Sequence, residues 1–333
     1  MLSRLNLGPK PALKWGVRRL NTSSIPPTVS LKRSYLYVPS SSDRMLEKSL
    51  STRSDTIIYD LEDSVPPSAS DKNSSRERLS AFLRRGDLPP RDRVAVRVND
   101  ISTPFFMDDI SKIVTSKAVG SLVLPKVHSA EDLHTVSRAI HDVNGTSSNT
   151  LGLVASIESA RASWNLGAIA AWKSEFGKLG GTLTALLFAA EDYCADTGIL
   201  RSPSRRELLY TRSSIVIAAK AFGLEAIDMV CVNYKDIEYL KDECKDGRQL
   251  GFTGKQAIHP TQVDIIQSTF VPTAAEIERA AKIVHKMERA HALNRGAAGL
   301  EGEMIDKPMI LQAEKILQIA RAANLEIPYI DAE

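Results

Sequence analysis

Glu158 ends the apolar run GLVASI, and Asp192 follows the apolar run ALLFAAE. An apolar stretch that stops on a charge sets that charge at the exit of a buried element. Two carboxylates converging with water and substrate oxygens are what Mg2+ prefers, because the ion is hard, octahedral and slow to dehydrate. Each acid taken singly would serve equally well as a helix N-cap. The histidines (His128, His134, His141, His259, His285 and His291) show neither HxH nor HExxH spacing, so nothing points to zinc. Arg97 closes the run RVAVR, where a guanidinium can clamp a carboxylate or a developing enolate oxygen. An ion pair with Glu62 or Asp63 is its structural alternative. Lys126, after SLVLP, could form a Schiff base with a carbonyl substrate, although a metal at the acid pair would make that electron sink redundant. Ser40-Ser41-Ser42-Asp43 opens a helix bearing Arg44 and Lys48 one turn apart. Free amides and two cations suit a phosphate, while an ordinary cap above a solvated face would read the same way.

Elements that could present these groups together recur along the chain. β-rich runs span 34–39, 56–62, 93–99, 121–127, 152–158, 185–191, 226–231 and 255–259. Most are continuous Val/Ile/Leu/Ala runs, as in parallel strands buried on both faces. Helical patterns lie between them, for example Ala130–Val143 and Ser204–Ala221. Strand then helix, eight times over, predicts an α/β chain folded as a (β/α)8 TIM barrel. A doubly wound sheet would carry GxGxxG after its first strand, where this chain has Pro39-Ser40-Ser41-Ser42. In a barrel the C-terminal strand ends form the reactive face. Asp60-Leu61-Glu62-Asp63, Arg97, Lys126, Glu158 and Glu191-Asp192 would all stand on that rim. Two further helices, about 273–294 and 308–323, follow the eighth unit across a glycine-containing linker from Gly296 to Asp306. The domain reading is a barrel over 33–272 and a helical extension over 273–333.

Composition is that of an ordinary globular chain, with 43% hydrophobic and 25% charged residues. No apolar run approaches the ~20 residues a bilayer span requires. Cys194, Cys231 and Cys244 form no CxxC pair, which argues against a disulfide framework or structural zinc. Residues 1–42 contain no Asp or Glu, and Arg4, Lys10, Lys14, Arg18 and Arg19 stand among Leu, Ser and Thr. That pattern reads as a mitochondrial transit peptide over 1–22, hence a matrix protein. The formal charge of +3 becomes slightly negative once those five cations are set aside. A near-neutral chain has no electrostatic reason to seek nucleic acid or a membrane surface.

The motifs LYVPSSSDR, YDLEDSV, RVN, LPKV, IES, AEDYCAD, LGFTGKQAIHPTQ and MIDKP occur in this order. The series resembles the citrate lyase β-subunit family, related to the HpcH/HpaI aldolases, over about residues 33–324. The resemblance implies a Mg2+-dependent lyase that breaks or forms the C–C bond between acetyl-CoA and a small 2-oxo acid. Its thioester would be of the citramalyl-CoA or malyl-CoA type. A citrate lyase β subunit, or a catalytically altered acyl-CoA-binding relative, is the alternative. Glu158 and Asp192 match the metal ligands, with Glu158 also at the substrate. Arg97 matches the arginine on the substrate carbonyl. Asp306, in MIDKP, matches a catalytic acid/base that reaches a neighbouring subunit of a homotrimer. Tyr37, Arg44, Lys48, Ile266 and Gln267 fall where the family contacts the CoA portion. Two local departures, Ser40 in place of a glycine and the loop GAAGLEGE before MIDKP, bear on acyl-group preference.

Overall fold

The computed structural model describes residues 31–145, 149–292 and 296–330, so the segment read as a transit peptide lies outside the described residues. The chain runs β1 (Ser34–Pro39), α1 (Asp43–Ser49), β2 (Thr56–Asp60), α2 (Ala69–Phe82), β3 (Val94–Arg97), α3 (Phe106–Ile113), β4 (Ser121–Leu124) and α4 (Ala130–Asn144). It continues through β5 (Gly152–Ile157), α5 (Ala160–Trp164), α6 (Leu166–Ala171), β6 (Thr182–Phe188), α7 (Ala190–Thr197), α8 (Leu209–Ala221), β7 (Glu225–Asp228) and α9 (Ile237–Leu250). The last elements are β8 (Gly254–Ala257), α10 (Val263–Thr269), α11 (Ala274–Ala292), β9 (Ala298–Leu300), β10 (Glu303–Ile305) and α12 (Lys307–Ala322).

Strands β1 to β8 are parallel and pair in sequence order into a closed barrel, as the alternating pattern predicts. Closure joins β8 to β1, with Tyr35 opposite Gln256. A Cβ on Gly254 would come within 2.6 Å of the Lys32 and Arg33 carbonyl oxygens, so only glycine lets the last strand reach the first. Alternation along each strand divides the apolar residues into two layers. Tyr35, Ile58, Ala95, Val123, Val154, Leu187 and Ile227 fill the barrel interior. Leu36, Ile57, Tyr59, Val96, Leu122, Leu153 and Phe188 pack outward against the helices. Both layers are almost fully buried, and each large side chain contributes about 1.5–3 kcal/mol from burial. Helix starts are fixed locally: Ser42, Ser68 and Ser159 each accept from a backbone N–H in their helix's first turn.

Helices α11 and α12 and the β9–β10 hairpin close around a second apolar cluster that includes Ile277, Ile283, Met287, Leu300, Ile305 and Leu317. The hairpin occupies what the sequence reads as a glycine linker, with Gly302 at φ +86° making its turn. Arg248, in the last turn of α9, holds Glu276 of α11 at 2.8 Å. Lys220, at the end of α8, lies within electrostatic reach of Lys315 on α12. Both α8 and α9 end where the next strand begins, so the extension is tied to the N-terminal foot of the barrel. No helix among the described residues is long and apolar enough to cross a membrane.

One strand boundary changes the site. The sixth strand, read over 185–191, spans Thr182–Phe188, and Glu191 and Asp192 belong to the first turn of α7. The backbone leaves the sheet at Ala189, and Ala, Glu and Asp are at home in a helical first turn next to the positive end of its dipole.

Candidate active site

The inward positions at the C-terminal strand ends are polar. Asp60 and Arg97 are register partners on β2 and β3. Arg97 donates from Nε and Nη2 to the two oxygens of Asp60, each at 2.7 Å. Its Nη1 lies 2.8 Å from Glu62 and 3.2 Å from Asp63. Asp60 is held in turn by backbone amides, Glu62 N–H at 2.9 Å and Ser64 N–H at 3.1 Å. Burial opposes ionisation of Asp60 most strongly, yet the Arg97 charge and the hydrogen bonds from Arg97, Ser64 and Glu62 together keep the carboxyl below its usual range. Lys72 of α2 donates to the Leu61 and Glu62 carbonyl oxygens at 2.9 and 2.7 Å, which pins the loop carrying these acids.

Beneath Arg97 lies the ring of Tyr37, 4.8 Å from the guanidinium carbon. The Tyr37 hydroxyl donates to Gln256 at 3.0 Å. The Gln256 amide donates across the barrel to the Phe188 and Asp228 carbonyl oxygens at 2.8 and 3.0 Å.

Lys126 takes a left-handed backbone conformation, φ +51°, and donates to Glu62 at 2.7 Å. The ion pair raises its pKa despite the opposing effect of burial. An ammonium held so firmly is a poor Schiff-base nucleophile.

Glu158 is 5% exposed at the end of β5. Its carboxyl is pushed up to about 7, by burial first, with the negative charges of Asp192 and Glu62 adding to it. A bond from Ser156 and the charge of Lys126 act the other way. A buried carboxylate beside further acids lacks positive charge, and that is what a divalent cation supplies. No cluster of three or more metal-binding side chains occurs among the described residues. Two carboxylates with water and substrate completing the shell suit Mg2+ better than zinc.

Comparison with known proteins bears on this geometry. The family model "HpcH/HpaI aldolase/citrate lyase" matches residues 33–260. The chain belongs to that family. It is 33% identical to the mitochondrial citramalyl-CoA lyase of Homo sapiens, over 87% of this chain and 85% of that protein. It is 34% identical to a (3S)-malyl-CoA thioesterase of Cereibacter sphaeroides, over 87% of this chain and 95% of the other. Among solved structures it resembles a citrate lyase β subunit from M. tuberculosis complexed with oxaloacetate and magnesium. That likeness has a TM-score of 0.58 at 25% identity and covers 73% of this chain and 98% of the other.

Of the residues singled out from the sequence, the barrel mouth assembles Tyr37, Arg97 and Glu158, with Asp192 near enough to act on Glu158. Arg44 and Lys48 stand exposed on α1, which leaves the same rim after β1. Tyr37 lies in the floor under Arg97, so its place is that of a support for the guanidinium. Ile266 and Gln267 lie on α10, away from the strand ends that form the mouth. Ile266 is fully buried in the helix–barrel core. The Gln267 amide donates to Ser34 at 3.0 Å, to the Arg53 carbonyl at 2.8 Å and to Asp55 at 2.9 Å. Those partners begin or precede β1 and β2, so Gln267 serves the foot of the barrel. At the mouth, the residues leaving β8 are Ile258, exposed despite its apolar side chain, and His259, which stacks on Tyr234 at 4.9 Å. Asp306 is exposed at the start of α12, on the extension tied to the foot. Sequence reasoning missed Asp60 as the main partner of Arg97, and Gln256. The available signal was spacing: Asp60 sits two residues after inward-facing Ile58.

Proposed function

We propose that this chain is a Mg2+-dependent acyl-CoA lyase that breaks or forms the C–C bond between acetyl-CoA and a small 2-oxo acid, with Glu158 and Asp192 holding the metal. The observation that carries the reading is the buried, under-neutralised Glu158 beside Asp192, in a family whose relatives include a citramalyl-CoA lyase. As a family member the chain is a carbon–carbon lyase, and the substrate is a CoA thioester of the citramalyl-CoA or malyl-CoA type.

Held by Glu158 and Asp192, Mg2+ would supply positive charge to the substrate's oxygens where negative charge develops. Arg97 adds a directed donor: with Nε and Nη2 held by Asp60, its Nη1 can exchange the exposed Asp63 carboxylate for a substrate oxygen. The Tyr37 ring, 4.8 Å from the guanidinium carbon, supports it from beneath. In the cleavage direction the substrate hydroxyl loses its proton to solvent, its oxygen becomes the C=O of the released 2-oxo acid, and the electron pair of the breaking C–C bond passes to the thioester enolate. Asp306 then delivers a proton to its carbon, and in the condensation direction it removes one. Arg44 and Lys48 offer positive charge on the rim for the CoA phosphates.

Asp306 serves the site of a second copy in a homotrimer. Its extension is attached at the foot of its own barrel, away from its own barrel's mouth. Trp164, Leu200, Tyr210 and Ile217 leave apolar surface exposed on α5, on α8 and on the loop before α8, as an interface between copies would. The acid-free first residues, together with a mitochondrial relative, favour import into the mitochondrial matrix.

The test is Asp306→Ala in the purified protein. Loss of thioester cleavage with Mg2+ affinity unchanged supports the assignment, and wild-type turnover sinks it.

A further inference from the structure

Glu158 is fixed by a barrel strand, whereas Asp192 sits in the first turn of the short helix α7. Something else must set the direction of that turn. Neighbouring helical residues point about 100° apart, so when Asp192 turns to the mouth, Glu191 turns away from it. Glu191 is gripped by Arg201, in the loop that follows α7. The second arm of Arg201 donates to Glu243 at 2.7 Å and to the Val230 carbonyl at 3.0 Å. Glu243 is fully buried on α9, and its other oxygen lies 3.1 Å from the Lys255 ammonium. Lys255 is itself fully buried on β8 and donates to the Met229 carbonyl at 2.7 Å.

A relay of bonds therefore runs from the barrel wall, through Lys255, Glu243 and Arg201, to the residue next to Asp192. Stability alone does not call for it, since apolar side chains of equal volume commonly serve a core as well as buried ion pairs do. What the relay adds is direction. The planar guanidinium fork fixes the angle between its partners, which a freely rotating ammonium does not.

We propose that Arg201 is a positioning residue that, through Glu191, orients the turn carrying Asp192 and so sets the affinity for Mg2+; this rests on the metal assignment made above. Groups that orient metal ligands from behind typically change affinity about 10–100-fold when removed. Charge and positioning make opposite demands here. Removing the Arg201 cation near a metal site should tighten binding by charge alone, and should weaken it if the side chain acts by orientation.

The experiment is calorimetric titration of Mg2+ into EDTA-treated, dialysed protein, for wild type and for Arg201→Gln, Glu191→Gln and Asp192→Asn. The expected result is about 10–100-fold weaker binding in both Arg201→Gln and Glu191→Gln. The loss should persist in about 1 M KCl, where exposed charges are screened within ~3 Å, and thioester KM at saturating Mg2+ should be unchanged. Glu191 is half exposed, so its variant tests the relay even if Arg201→Gln folds poorly. Equal or tighter Mg2+ binding in Arg201→Gln, or wild-type binding in Glu191→Gln, overturns the proposal while Asp192→Asn still loses the metal. Wild-type binding in Asp192→Asn removes the metal assignment itself, and the inference with it.

Discussion

Asp60 and Arg97, partners at the ends of adjacent strands, are joined by two hydrogen bonds of 2.7 Å. This clamp fixes a guanidinium that an unsupported side chain would leave to several rotamers. It spends two of the donor nitrogens and leaves Nη1 at the rim.

Asp60→Asn should therefore lower kcat more than it raises KM. The amide cannot accept both bonds, and misplacement of a reacting group by about 1 Å costs on the order of a hundredfold. Steady-state kinetics with Mg2+ saturating would show it. An unchanged kcat would mean that Arg97 is not the oxygen-facing group.

Glu158 gives a pH dependence of definite sign. Its carboxyl, at about 7 in the folded chain against an ordinary 4.5, favours the protonated form in the fold. Metal-free stability from this group is thus present at low pH and lost as pH rises from about 4.5 to about 7. The loss is on the order of 3 kcal/mol at about pH 8. Glu158→Gln removes it, so the metal-free variant should melt above wild type at that pH. Mg2+ should raise the wild-type melting temperature there, much less near pH 5, and not at all in the variant. A variant melting below wild type would contradict the burial argument.

Much of this site is legible in the sequence because a parallel barrel converts strand ends into a rim. An apolar run that stops on Arg97 or Glu158 already states which face the charge occupies. Asp192 is less legible, because the β-rich run before it passes into a helix with no break in hydrophobicity. Only the structure shows that Glu191 turns away to Arg201. The Asp60 clamp is missed for a related reason: Asp60, Glu62, Asp63 and Ser64 crowd one strand end, and only the two-residue step from inward-facing Ile58 singles out Asp60. The place of Gln267 is not legible because a helix after the last strand carries one end to the mouth and the other to the foot, and position in a motif does not say which.

Lys126 separates metal-assisted chemistry from a Schiff base. Paired with Glu62 at 2.7 Å and with its pKa raised, it should remain an ammonium at neutral pH. Borohydride added with pyruvate and enzyme should leave the chain's mass unchanged. A reduced adduct on Lys126 would restore the aldolase reading.

The proposed division of the site between copies predicts complementation. Arg97→Ala and Asp306→Ala should each be inactive alone. Unfolded together and refolded as a mixture, they should regain activity, since some sites would then combine an intact Arg97 with an intact Asp306 from a neighbour. No recovery in mixtures that demonstrably exchange subunits would place Asp306 at its own barrel.

The central claim is tested most directly by the product of the reaction. The purified chain would be incubated with Mg2+, acetyl-CoA and either pyruvate or glyoxylate, and the thioesters identified by mass. The expected result is citramalyl-CoA or malyl-CoA, formed by wild type and absent both with EDTA and in Glu158→Gln. Failure to form any C–C adduct from either acid, or adduct formation undiminished by EDTA, would contradict a Mg2+-dependent acyl-CoA lyase.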